Sequence, residues 1–117
     1  MKLFDSELKI MEILWRDGDT TAKRIAETLA EETSWSKTTS YTVLRRCINK
    51  GAVSRKEPNF ICRALVSKEK VQEALTFELI NKMFGGKSDQ LVASLLGSKE
   101  LSKKDVKKLK DLIKDLP

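Results

Sequence analysis

The stretch "WSKTTSYTVLRRCINKG", Trp35 to Gly51, decides how this chain folds. Ser36 sits where a helix N-cap belongs, and Gly51 where a helix stops. Between them Ser40, Val43, Leu44, Cys47 and Ile48 recur at helical spacing and make one mostly apolar face. The other face gathers Lys37, Thr38, Tyr41, Thr42, Arg45 and Asn49, with Arg46 on its flank. A face that served only solubility would intersperse Glu among its Lys and Arg; this one has no acid.

On the N-terminal side, "DSELKIMEILW" predicts a helix with Leu8, Met11 and Trp15 in one apolar line, Ile10 and Leu14 beside it, and Gly18 as its end. "TTAKRIAETLAEE" predicts a second helix, capped by Thr20 or Thr21, with Ala22, Ile25, Ala26, Leu29 and Ala30 facing inward. On the C-terminal side, "AVSRKEPNFICRALV" changes character. Its β-branched and aromatic residues, broken by Pro58-Asn59, predict a small antiparallel hairpin.

Ser67 then caps a long helix to about Phe84, closed by Gly85-Gly86. Its apolar residues fall in two stripes, Val71, Leu75, Leu79 and Met83, and Phe77, Ile80 and Phe84, more than one neighbour requires. A fifth helix, roughly Ser88 to Leu96, carries Leu91, Val92, Leu95 and Leu96. A sixth opens at Ser102 and Asp105, which have capping-box spacing, and runs through Val106, Leu109, Ile113 and Leu116. The expected fold is mainly α: a winged helix-turn-helix with a small β-hairpin wing in residues 1–66, and a three-helix dimerisation domain in residues 67–117. Three helices bury too little to stand alone, so their apolar faces must meet the N-terminal part or a second copy; a second copy is the expected cover for Leu75, Leu79, Met83, Leu91, Leu95, Val106, Leu109 and Ile113.

The formal net charge of +6 is unevenly spread. Residues 1–34 hold five basic side chains against eight acids, and residues 35–66 hold seven against Glu57 alone. A polyanionic partner is what such focusing suits. With no histidine, most catalytic dyads and zinc sites are excluded, and neither an enzyme nor a cofactor or metal is expected. The carboxylate pairs Asp17 with Asp19 and Glu31 with Glu32 read as helix-end solvation. Cys47 and Cys62 lie apart, without metal-like spacing, and read as reduced core thiols. No signal peptide or membrane-length apolar run occurs in the sequence, so a cytoplasmic protein without membrane insertion is expected.

Three helices followed by a basic hairpin is the order in which a winged helix-turn-helix places its third helix in the DNA major groove. Lys37, Thr38, Tyr41, Thr42 and Arg45 would then project together toward base edges. Ser36, the helix N-terminal amides, Lys50, Arg55 and Lys56 would hold phosphates. Each piece also has a plainer reading. Lys37, Arg45 and Arg46 suit a solvated face; Thr38, Thr39 and Thr42 suit surface hydroxyls; Tyr41 suits a half-buried aromatic. Trp15 and Trp35 read as packing residues, and Arg63 as a strand residue facing solvent. The charge asymmetry and the element order together outweigh these.

"SELKIMEILW", then "WSKTTSYTVLRRCINKGAVSR", then the capped C-terminal helices resemble the penicillinase-repressor family of bacterial regulators, the BlaI/MecI/CopY type, over nearly the whole chain. The most specific element is Trp35, Ser36, Thr38, Thr39, Thr42, Leu44, Arg46, Lys50 and Gly51. The resemblance implies a homodimeric repressor on a palindromic DNA operator, with its dimer interface in the C-terminal helices. It places recognition contacts on Thr38, Tyr41, Thr42 and Arg46, so Arg46 serves both groove and phosphate. The chain departs from the family at Ser40 and Cys47, where aliphatic residues are usual. It departs again at Ser94-Leu95, which stands where the beta-lactam-responsive members are cut at an Asn-Phe pair. No cysteine follows Cys62, so the paired Cys-x-Cys of copper sensors is missing. The expected function is promoter occlusion by a sequence-specific repressor; the upstream sensor is unknown. The rival is a winged-helix assembly module whose basic face meets an acidic protein.

Overall fold

The computed structural model describes residues 1–114, with side chains through Leu112. Its elements are α1 (Asp5–Asp17), β1 (Thr20–Thr21), α2 (Ala22–Thr33), α3 (Lys37–Asn49), β2 (Val53–Lys56), β3 (Ile61–Ala64), α4 (Lys68–Met83), α5 (Ser88–Leu96) and α6 (Lys103–Lys114). The winged helix-turn-helix is therefore present, with one strand more than the hairpin supplies.

Each N-terminal helix starts and stops for a local reason. The Glu7 carboxylate reaches back to accept the Phe4 amide at 2.7 Å, which fixes the first turn of α1. Gly18, at φ 81, closes that helix by donating to Leu14 O, a conformation in which a β-carbon would be strained. Thr21 caps α2 by accepting from the Arg24 amide. Ser36 caps α3 by accepting from the Thr39 amide at 3.1 Å, and its own hydroxyl donates to Thr39 Oγ1.

The buried face of α1 is turned from the expected line. Glu7, Ile10, Met11, Ile13 and Leu14 are buried, whereas Leu8 and Trp15 only flank the core. Trp15 stays at the rim because its indole N–H donates to Val66 O at 2.9 Å, a partner a central position would deny it. In α2, Ala22, Ile25, Ala26 and Leu29 face inward as expected, but Ala30 is exposed. Thr28 is buried in its stead, its hydroxyl satisfied by Arg24 O at 2.9 Å. In α3 the buried residues are Ser40, Val43, Leu44 and Cys47, with Ile48 half-buried. Ala52, Val53 and Cys62 close this core from the hairpin side.

The sheet is antiparallel throughout, in the order β1-β3-β2. Val53 pairs with Ala64, Arg55 with Cys62 and Lys56 with Ile61, the register expected of a hairpin wing. The unexpected third strand is β1, where Thr20 and Thr21 pair with Cys62 and Ile61. The Phe60 carbonyl then accepts the Ala22 amide at 3.1 Å, so the turn of the wing is stitched to the first turn of α2.

By contacts the chain divides into two compact units inside α4, between Val71 and Gln72. Val71, in the first turn of α4, still packs against the N-terminal core. In the C-terminal unit, Ser102 caps α6 by accepting from the Asp105 amide. Among its described residues Ile80 is the one buried apolar side chain, whereas Phe77, Leu75, Leu79, Met83, Leu95 and Leu112 are exposed. Leu91, Val106 and Leu109 are half-buried. The side chain of Ile113, and Leu116 altogether, lie outside the described residues.

Candidate nucleic-acid interface

The exposed face of α3 holds Lys37, Thr38, Thr42, Arg45 and Asn49, with Tyr41 half-buried among them. Tyr41 packs against the N-terminal core, and Lys37 Nζ lies 5.8 Å from the centre of its ring. The plainer reading of a half-buried aromatic holds: the ring is anchored on the core, with the cation over it. The Thr42 hydroxyl donates to Thr38 O at 2.9 Å. Its proton is therefore committed to the backbone, and the side chain offers outward a methyl group and oxygen lone pairs.

A cleft of about 530 Å³ separates α3 from the wing. Lys37, Tyr41, Arg45 and Asn49 line its α3 side, with Leu44 and Ile48 beneath them; Arg55 and Phe60 line the wing side. Among the described residues, Lys37, Arg45 and Lys56 pair with no carboxylate. The wing cation Arg55 lies 3.8 Å from Glu57, an exposed pair of little strength. Its guanidinium carbon sits 4.3 Å from the centre of the Phe60 ring.

Phe60 is a residue that sequence reasoning passes over. It takes φ 52, a left-handed backbone that an aromatic side chain rarely adopts and that costs about 1–3 kcal/mol. The only outward sign is an aromatic following Pro58-Asn59 at a hairpin turn. Its strain is offset by the Ala22 amide bonded to its carbonyl, a link between wing and α2 that no local pattern announces.

Lys50 differs from the other expected phosphate contacts in having its partners inside the fold. Its ammonium turns inward, 2.7 Å from Glu7 Oε1 and 2.8 Å from Lys2 O, and lies over the Phe4 ring at 4.2 Å. Glu7 is wholly buried. Burial opposes its ionised form, but the Lys50 hydrogen bond, the Phe4 amide and the charges of Lys50 and Arg46 outweigh that and hold its pKa below the ordinary value. The pair thus ties the end of α3 to the start of α1. Arg46, which the sequence places on the flank, does lie there: it is exposed, with Nη2 3.4 Å from Ser6 Oγ.

Ser40 and Cys47 occupy the inner face of α3. The Cys47 thiol donates weakly to Glu7 O, and burial pushes its pKa up to about 11. Such a thiol is inert packing material. Burial raises Cys62 as well. Ser40 Oγ is buried with no hydrogen-bond partner among the described residues. Among those residues no three His, Cys, Asp or Glu side chains are grouped to hold a metal ion. None of the described helices is long and apolar enough to cross a membrane.

The geometry agrees with what the chain is similar to. The sequence profile of the penicillinase repressor family matches residues 3–115. The methicillin resistance regulatory protein MecI of Mammaliicoccus sciuri is 25% identical over 114 residues, covering 96% of this chain and 93% of that one. The penicillinase repressor of Bacillus licheniformis is 22% identical over 116 residues, covering 97% and 91%. Among solved structures, the DNA-binding domain of the repressor BlaI aligns with TM-score 0.54 at 25% identity, over 57% of this chain and 84% of that domain.

Proposed function

Because the chain belongs to the penicillinase repressor family, made up of transcriptional repressors and not of enzymes, we propose that it silences a promoter as a homodimer seated on a palindromic operator. The observation that carries this reading is the acid-free outer face of α3 beside a basic wing. In it, α3 enters the major groove. Arg45 and Arg46 suit guanine edges and the flanking phosphates, and the outward methyl of Thr42 suits the thymine methyl. Thr38 and Tyr41 complete the groove contacts, while Ser36, the first amides of α3, Lys37, Arg55 and Lys56 hold the sugar–phosphate strands.

Exposed Leu75, Leu79, Met83 and Leu95, with half-buried Leu91, Val106 and Leu109, supply the apolar surface that a second copy covers. Two paired chains set half-sites about 34 Å apart, or one helical turn more. Occupying a promoter in the cytoplasm requires no chemistry, which suits a chain without histidine.

Selecting duplexes from a random pool with the full chain tests this directly. The expected result is one enriched palindrome, bound with log affinity falling linearly in log salt. Thr42→Ala and Arg46→Ala should weaken that binding by about tenfold each, at the scale of one base contact, while the chain stays folded. Equal affinity for scrambled duplexes would remove specific readout, and undiminished binding by both variants would remove those residues from the interface.

A further inference from the structure

The cleft between α3 and the wing has a cation held against an aromatic ring on each wall. Lys37 lies near the Tyr41 ring on the α3 side, and Arg55 lies on the Phe60 ring on the wing side. We infer that this cleft seats one strand of the duplex backbone, and that Phe60 is the positioning residue that holds Arg55 flat and ready for a phosphate. The inference rests on the DNA-binding reading and adds a residue and a mode of action to it.

Three observations carry it. Phe60 is 44% exposed although it is a large apolar side chain, so burial does not account for its place. Its left-handed backbone is retained at the one point where its carbonyl is clamped to the Ala22 amide, which fixes the ring's position relative to α2. The ring lies under the guanidinium at 4.3 Å, and the ion pair of Arg55 among the described residues is with Glu57 at 3.8 Å. A free arginine samples many rotamers and must be ordered when it binds. An arginine stacked on a fixed ring is already planar, oriented and partly desolvated, with its N–H edges open to a phosphate. Glu57, 3.8 Å away and exposed, is a weak competing acceptor that a phosphate displaces.

The alternative is that the stack merely covers the hairpin. The two differ in what they couple. The test uses the full chain and the duplex it selects from a random pool, with affinities measured at three salt concentrations. Arg55→Ala should weaken selected and scrambled duplexes alike and lower the salt slope by about 0.9, the signature of one lost phosphate contact. Phe60→Ala and Phe60→Leu should each weaken binding about fivefold to tenfold, whereas Phe60→Tyr, which keeps the ring, should bind as the unaltered protein does.

The double variant Arg55→Ala with Phe60→Ala should bind no worse than Arg55→Ala alone, since the ring acts only through the guanidinium. Full affinity in Phe60→Leu would overturn the inference while leaving the DNA reading intact. So would losses that add in full in the double variant. Failure of the unaltered protein to bind any duplex would overturn both together.

Discussion

Ile10, Met11, Ile13, Ile25, Leu29 and Val53 of the N-terminal unit are each at most 2% exposed. In the C-terminal unit Phe77 is 57%, Leu79 44% and Met83 71% exposed. Both units draw on comparable apolar side chains, yet one closes its core within 71 residues and the other leaves Phe77, Leu79 and Met83 in solvent. Burial, and so intrinsic stability, is concentrated where the candidate DNA face is built. The unit that begins at Gln72 leaves apolar side chains exposed, and a second copy of the chain covers them in the reading proposed here.

The contrast can be broken at its strongest point first. Ile10→Ala deletes a fully buried side chain and should lower the unfolding free energy by about 3.5 kcal/mol, measured by urea titration. A loss below about 1 kcal/mol would show that the N-terminal core is not where stability resides. Next, Leu79→Asp combined with Met83→Asp should raise the homodimer dissociation constant at least a hundredfold, about 2.7 kcal/mol, in sedimentation experiments. The urea midpoint of the N-terminal unit should stay in place. An unchanged oligomeric state would leave the exposed face of α4 without the proposed role.

The smallest effect concerns the charge inside the closed unit. The pKa of Glu7 lies below its ordinary value of 4.5, so its contribution to stability is complete above that pH and is lost as pH falls through the lower folded value. The acid limb of stability against pH should therefore be shallower in Glu7→Gln than in the unaltered protein. Identical limbs would show that the buried carboxylate is not held ionised.

How far the fold could be read in advance depended on how local each cause is. The third helix was legible because Ser36, the spacing of Val43, Leu44 and Cys47, and Gly51 all act within one or two turns. Glu7 was not. A glutamate in a first turn reads as a surface acid favoured by the helix dipole, and its burial is settled by Lys50, 43 residues away. The strand at Thr20–Thr21 escaped because two threonines carry no period, and pairing with β3 alone defines it. Helical spacing puts Trp15 in the apolar line of α1, and it packs on the core from the rim, where its indole N–H reaches Val66 O. Of the candidate site, the composition of the α3 face could be read directly. The inward turn of Lys50 and the Arg55–Phe60 stack required knowing which groups the tertiary fold brings within reach.

In the sheet order β1-β3-β2, the threonine strand occupies one flank of β3, leaving the outer rail of β2 unpaired. That rail is four residues long and ends in Arg55 and Lys56. Two copies meeting along it would bring like charges together over a ladder too short to compensate. In the proposed reading, the side chains assigned to phosphate thus also guard against strand-to-strand adhesion and leave pairing of copies to the helical surfaces.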